Sequence, residues 1–154
     1  ALAPITARER IELGGVPLLR ADLDVGGTAL RVYSVHTLPP STARLHERWS
    51  EQMRELRDRL AADVEDGRTL VLAGDLNASP TMRAYRELVS TGARAAHEDA
   101  FRGLATTWPN GVFMLPPMRL HHVLVRGAHA QRVSGGSTTS SVHLPVIVDL
   151  RIAR

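Results

Sequence analysis

TLVLAGDLNASP, residues 69–80, contains the sharpest change of character in the chain. Residues 69–73 are a short apolar run that suits a strand buried on both faces, and residues 74–80 are a polar Gly/Asp/Asn/Pro segment that reads as the loop beyond its end. A buried strand that opens into such a loop gathers polar side chains outside its terminus. Upstream, residues 41–66 place Leu45, Trp49, Met53, Leu56, Leu60 and Val64 at steps of four, four, three, four and four. That spacing predicts one long amphipathic helix, capped by Ser41 or Thr42 after Pro39-Pro40 and ended by Gly67.

Further upstream, residues 17–25 alternate Leu19, Ala21, Leu23 and Val25 against Arg20, Asp22 and Asp24. Gly26-Gly27 supplies a tight turn, and residues 28–36 (TALRVYSVH) return as a second strand with His36 at its C-terminal end. Downstream, Pro80 is expected in the first turn of a second helix whose Met82, Tyr85, Leu88 and Val89 point inward, closed by Thr91-Gly92. Residues 93–118 read as a long irregular functional loop. Strands are expected at 119–125 (RLHHVLV) and 142–152 (VHLPVIVDLRI), separated by the Gly/Ser/Thr-rich SGGSTTSS. Strands and helices in this order describe an α/β protein.

With 154 residues the chain has the size of one domain, and 44% hydrophobic against 23% charged residues places it with folded, non-spanning chains. Cysteine is absent, which excludes disulfides, thiolate zinc sites and a cysteine nucleophile. All 19 basic residues are arginine, so no lysine Schiff base is available and every positive charge is a planar fork suited to carboxylate or phosphate. The net charge of +3 is mild and carries no basic nucleic-acid stripe. The opening residues lack the pattern of a signal peptide and no methionine begins the chain, so a processed or truncated N-terminus is expected.

Singly, the polar positions say little: Asp75 and Asn77 suit an Asx-turn, and His36, His121, His122 and His143 are ordinary strand histidines. Their order says more. Strand–His36-x-x-Pro39, long helix, strand–GDLNASP, TTWP (106–109), RLHHVLV and Ser141-x-His143-Leu-Pro-Val together resemble the second half of the endonuclease/exonuclease/phosphatase superfamily, the deoxyribonuclease-I-like proteins. The likeness runs from about Pro17 to Leu150, and its motif spacing is most similar to the actinobacterial teicoplanin-resistance-type branch.

The resemblance implies a portion of a layered sandwich of mixed β-sheets flanked by α-helices. It also implies a divalent-metal phosphoesterase in which an activated water attacks phosphorus. His36, Asp75, Asn77 and His143 would be catalytic: Asp75 orients or deprotonates the water, Asn77 hydrogen-bonds the phosphate, and His36 contacts the phosphate or the leaving-group side. Trp108 and His122 would bind substrate, and Asp75, Asn77 and His121 would hold Mg2+ or Mn2+. Substrates would be phosphate esters of nucleic acid, phospholipid or pyrophosphate lipid. In the branch named above, the domain often lies outside the cytoplasm on a membrane-tethered protein.

Three features depart from the family pattern. The family's Ser-Asp-His is Ser141-Val142-His143 here, and valine cannot accept the hydrogen bond by which that aspartate orients the histidine. The family's Asp-His is His121-His122. No segment matches the family's first half, with its asparagine and metal-binding glutamate. The expectation is therefore a half-domain with an open apolar sheet face, covered by the missing half, by a partner chain or by a second copy. Either this is part of a phosphoesterase, or it is a non-catalytic relative that keeps the fold as a binding or structural domain.

Overall fold

The computed structural model describes residues 3–101, 105–111, 115–138 and 140–153. Strands β1 (Ile5–Leu13), β2 (Val16–Val25) and β3 (Thr28–His36) are followed by helix α1 (Ala43–Glu65) and strand β4 (Thr69–Asp75). Helix α2 (Arg83–Val89), the two-residue β5 (Arg94–Ala95) and the short α3 (Ala96–Asp99) lead to β6 (His121–Arg126), β7 (Ala128–Gly135) and β8 (Val146–Ile152). Six strands form one mixed sheet in the order β1-β2-β3-β4-β6-β5, in which only β3 and β4 run parallel. β7 and β8 pair as a separate two-stranded sheet.

The period-two alternation assigns each strand two faces. Tyr33 and Val35 of β3, Leu70 and Leu72 of β4, and Leu124 of β6 pack beneath Trp49, Met53, Leu56 and Leu60 of α1 and Tyr85 and Leu88 of α2. Leu30, Val71 and Val125 face the other way, against Ala128, Leu150 and Ile152 of the small sheet. The result is the expected α/β layering: helices, mixed sheet, second sheet. The small sheet covers only part of its face. Over β1–β3, Leu19 remains 52% exposed beside Ala21 and Val32 in a groove of about 500 Å³ rimmed by Arg8, Glu9, Arg10 and Arg20.

Local chemistry explains the main elements. Gly26 and Gly27 sit at φ 60° and 87°, the positive values a two-residue hairpin demands, and the Gly27 N–H donates to the Asp24 carboxylate. Thr42 caps α1 by accepting from the Leu45 N–H at 3.2 Å. Gln52, fully buried on α1, uses both ends of its amide: Oε1 accepts from the Leu38 N–H and Nε2 donates to the Leu13 carbonyl, each at 2.9 Å.

Several boundaries differ from the sequence reading. A first hairpin, β1–β2, turns at Gly14-Gly15; seven of the nine β1 residues are exposed at the sheet's edge, which removes the apolar alternation that would have announced it. Pro80 lies in a turn ahead of α2, which starts at Arg83. The 93–118 segment is not wholly irregular, since it contains β5 and α3. β7 lies largely in residues that the sequence reading left unassigned between its strand at 119–125 and SGGSTTSS; its register shift between Ala130 and Arg132 spaces the buried residues Ala128, Ala130 and Val133 unevenly and hides the strand period. β8 begins at Val146, which leaves His143 in the preceding loop.

Candidate active site

Three neighbouring strand ends place three side chains in a row. In the parallel β3–β4 ladder His36 is the partner of Asp75, and in the antiparallel β4–β6 ladder Asp75 is the partner of His121. Gly74 makes that geometry possible: its φ is 152°, and a Cβ there would lie 1.8 Å from the Val35 carbonyl oxygen. Only glycine lets the backbone of β4 approach β3 so closely just before the aspartate.

Asp75 is held by its own loop. Its Oδ1 accepts from the Asn77 N–H at 2.8 Å, an Asx-turn that places Asn77 at φ 45°, while Asn77 Nδ2 donates to the Thr37 carbonyl at 2.8 Å. The second carboxylate oxygen, Oδ2, faces three imidazoles: His143 Nδ1 at 3.6 Å, His121 Nε2 at 3.7 Å and His36 Nε2 at 3.9 Å. His121 Nε2 and His143 Nδ1 are 2.9 Å apart and their rings stack with centroids 4.9 Å apart. That separation is within hydrogen-bond distance, with donor and acceptor set by the tautomers of the two rings. Burial pushes the His121 imidazole below its ordinary pKa, opposed by the Asp75 charge.

The loop that contains TTWPNG pins both of these histidines, through residues the sequence reading did not single out. The buried Thr107 accepts the N–H groups of Leu120 and His121 on its Oγ1 at 2.8 and 3.0 Å, and its carbonyl accepts from the Leu144 N–H at 2.8 Å. The Asn110 N–H donates to the Val142 carbonyl, and its Nδ2 donates to the carbonyls of Thr138 and Ser141. The one signal in the sequence was the position of both residues inside a polar loop between two histidine-bearing segments.

His36, Asp75, Asn77, His121 and His143 are thus brought to one edge of the sheet, His36 standing outermost with 73% of its side chain exposed. His122 is not brought there. It alternates to the opposite face of β6, is 1% exposed, hydrogen-bonds the Ala78 carbonyl through Nε2 at 2.8 Å and packs 4.4 Å from the Tyr85 ring. The assignment of His122 to substrate binding is therefore corrected: it is a core residue, with its pKa pushed down to about 3 chiefly by burial. Trp108 is half-buried and pairs through its backbone with Met118. Val142 is 53% exposed beside His143 and offers its side of the loop no acceptor.

Among the described residues Asp75, His121 and His143 form a group able to hold a metal ion. Its donor set, two imidazole nitrogens and one carboxylate oxygen, does not match the oxygen shell that magnesium requires, and imidazole is a poor match for manganese as well. At this edge exposure rises from Asp75, with 10% of its side chain exposed, through His121 and His143 at 24% and 27%, to His36 at 73%, and a separate hollow of about 980 Å³ lies by Thr28 at the far end of β3.

Comparison with known proteins agrees with this layout. The model of the Endonuclease/Exonuclease/phosphatase family matches residues 1–143. No curated protein is similar enough to match. An endonuclease/exonuclease/phosphatase from Beutenbergia cavernae superposes with a TM-score of 0.78 at 23% identity, over 98% of this chain and 46% of that one. A mannosyl-6-phosphatase from Bacteroides thetaiotaomicron gives 0.73 at 16% identity over 97% and 67%, and a humanized D. rerio TDP2 gives 0.74 at 16% over 97% and 68%. At these identities the likeness is one of fold. The chain spans between about half and two thirds of the length of these structures.

Proposed function

This chain belongs to the endonuclease/exonuclease/phosphatase family, and from that premise we propose that it supplies the phosphate-handling edge of a phosphoester hydrolase. One observation carries the reading: Asp75 Oδ2 lies within 3.9 Å of nitrogens from three histidines that come from two strands and a separate loop. Such convergence of a carboxylate with imidazoles is what positioning a water and stabilising developing charge on phosphate oxygens demands. In this reading Asp75, fixed by Asn77 at Oδ1, uses Oδ2 to accept a proton from the attacking water. Asn77 stands next to the reacting phosphate, and His36, free at the rim, donates to a phosphate oxygen or to the leaving group. His143 takes the role that the family motif gives its histidine. With His36 exposed at the rim, the phosphoryl group would be presented by a larger molecule, such as a nucleic acid, a phospholipid or a pyrophosphate lipid.

Val142 favours a second reading, a relative that binds phosphate esters without cleaving them, because the carboxylate that orients the family histidine is absent. Hydrolysis of bis-p-nitrophenyl phosphate and p-nitrophenyl phosphate by the purified chain separates the two. Turnover that falls by roughly 10²–10⁴ in Asp75→Asn is the expected result for the hydrolase. Wild-type rates in both Asp75→Asn and His143→Ala would place the activity elsewhere, and saturable binding without turnover would select the second reading.

A further inference from the structure

We propose that Asp75, His121 and His143 form a binding site for a borderline transition-metal ion of the zinc type, with open coordination positions toward solvent. The inference deepens the hydrolase reading above by naming the class of ion at the same edge, and it rests on that reading only for the reaction the ion would serve; with the ion held there, Asp75 Oδ2 and His143 Nδ1 would be ligands, and the ion would supply the activation of water that the metal-free reading gives to Asp75. The three donor atoms are separated by 2.9, 3.6 and 3.7 Å. A triangle of those sides has a point about 2 Å from every corner, which matches the roughly 2.0–2.2 Å of zinc–nitrogen and zinc–oxygen bonds. An ion can therefore enter without moving the backbone.

The chemistry of the donors selects the ion. Imidazole favours zinc, copper, iron and nickel, whereas carboxylate, carbonyl and water suit magnesium, calcium and manganese. Where the family pattern has a carboxylate, residue 121 is a histidine, and the change converts an oxygen corner into a nitrogen corner. The residues that carry the donors are also held in place. Asp75 is oriented by the Asn77 N–H, the backbone of His121 is fixed by Thr107 Oγ1, and the backbone N–H of His143 donates to Ser141 Oγ at 3.0 Å. These bonds fix the main chain from which both imidazoles project. Three protein ligands leave a fourth position vacant, the arrangement of catalytic rather than structural zinc sites. The side chains of His121 and His143 are 24% and 27% exposed, so that position opens to water.

Binding is tested apart from turnover. An untagged, chelator-stripped chain is titrated with Co2+ while its visible ligand-field absorption is followed, then with Zn2+, and separately with Mg2+ in large excess. One Co2+ per chain, displaced by stoichiometric Zn2+ and indifferent to Mg2+, is the expected outcome. His121→Ala and His143→Gln, the latter in an irregular loop where folding is spared, should each weaken Co2+ binding by about 100-fold or more, while His46→Ala, outside the site, leaves it unchanged. His121→Asp should shift the preference toward Mg2+. No stoichiometric Co2+ binding, binding that survives both histidine substitutions, or effective competition by Mg2+ overturns the proposal. Phosphoester turnover in the stripped chain without Co2+ binding would sink the metal site alone. Tight Co2+ binding without turnover would sink the hydrolase reading alone.

Discussion

Asp75 and His121 are register partners across the β4–β6 ladder, and their side chains therefore leave the sheet on the same face. His36 joins them as the partner of Asp75 on the other side. That face is the one opposite the helices, and its exposed part continues toward the groove beside Leu19 and Val32. The reactive row and the open groove thus share one surface of the mixed sheet, and the consequences of that arrangement can be measured.

Gly74→Ala should be among the most damaging single changes in the chain. The added methyl meets the Val35 carbonyl at 1.8 Å, and the backbone there has a φ that an L side chain rarely adopts. A loss of about 4 kcal/mol or more is expected, together with displacement of Asp75. Urea denaturation measures it; a midpoint within error of the wild type would contradict the close approach of β3 and β4.

Thr107→Val keeps the shape of the side chain and removes the acceptor used by the Leu120 and His121 N–H groups. Leaving buried donors unpaired costs about 1–3 kcal/mol each. The same substitution should broaden or shift the NMR resonances of both His121 and His143, because Thr107 also holds Leu144. Unchanged imidazole resonances would show that the loop does not position the pair.

Stability should fall in acid from a threshold set by two buried imidazoles. Burial holds His97 down to about 4 and His122 down to about 3 in the folded chain, against 6.5 for an unperturbed imidazole. A depressed folded pKa means that the unfolded chain takes up the proton first. The stabilisation is therefore whole above pH 6.5 and is lost as pH drops from there through the folded values, by about 3 kcal/mol per histidine at pH 4. His122→Gln, whose amide can still donate to the Ala78 carbonyl, should flatten the dependence of the urea midpoint between pH 6.5 and 4. An equally steep dependence in that variant rules His122 out as a source.

The groove beside Leu19 leaves an apolar floor of Leu19, Ala21 and Val32 open, and a second copy laid over the same face would cover it. Sedimentation velocity is expected to show self-association that rises with concentration and is abolished by Leu19→Glu. A monomer at every concentration, in both proteins, would refute it.

If the family motif guides activity as proposed, restoring its acids should act as a unit. Val142→Asp and His121→Asp together, in a protein that also carries the family's first half, should raise Mg2+-supported phosphodiester turnover by more than the product of the single effects, because a carboxylate at position 142 would orient His143 while one at position 121 would offer Mg2+ an oxygen ligand for the same reaction. Multiplicative or absent effects would show that His143 does not depend on them.

How much of this was legible in the sequence depended on burial. Residues 28–36 and 69–73 and the α1 stripe could be read because one side of each is packed, and packing enforces periodicity. β1 lies at an edge with few packed residues, and β7 is interrupted by a register shift, so neither displayed a period. At the site, the reading gathered His36, Asp75, Asn77, His121 and His143 through the family resemblance carried by the order of the motifs around them. It misplaced His122 because adjacent histidines in a strand face opposite ways, and which one faces the core is decided by Leu124 and Tyr85, contacts made across the fold. Thr107 and Asn110 act through backbone groups of distant residues and leave no pattern of their own.

Gln52 bears on how the molecule opens. Its amide bridges the end of the first hairpin, at the Leu13 carbonyl, to the segment just after His36, at the Leu38 N–H. Detaching that end of the hairpin would abandon a buried amide, and freeing Leu38 would abandon the same group, so the two segments are obliged to breathe together. In hydrogen–deuterium exchange the Leu38 amide should therefore keep pace with amides of the β1–β2 turn, and the chain leading away from the reactive edge is tied through Gln52 to the buried face of α1.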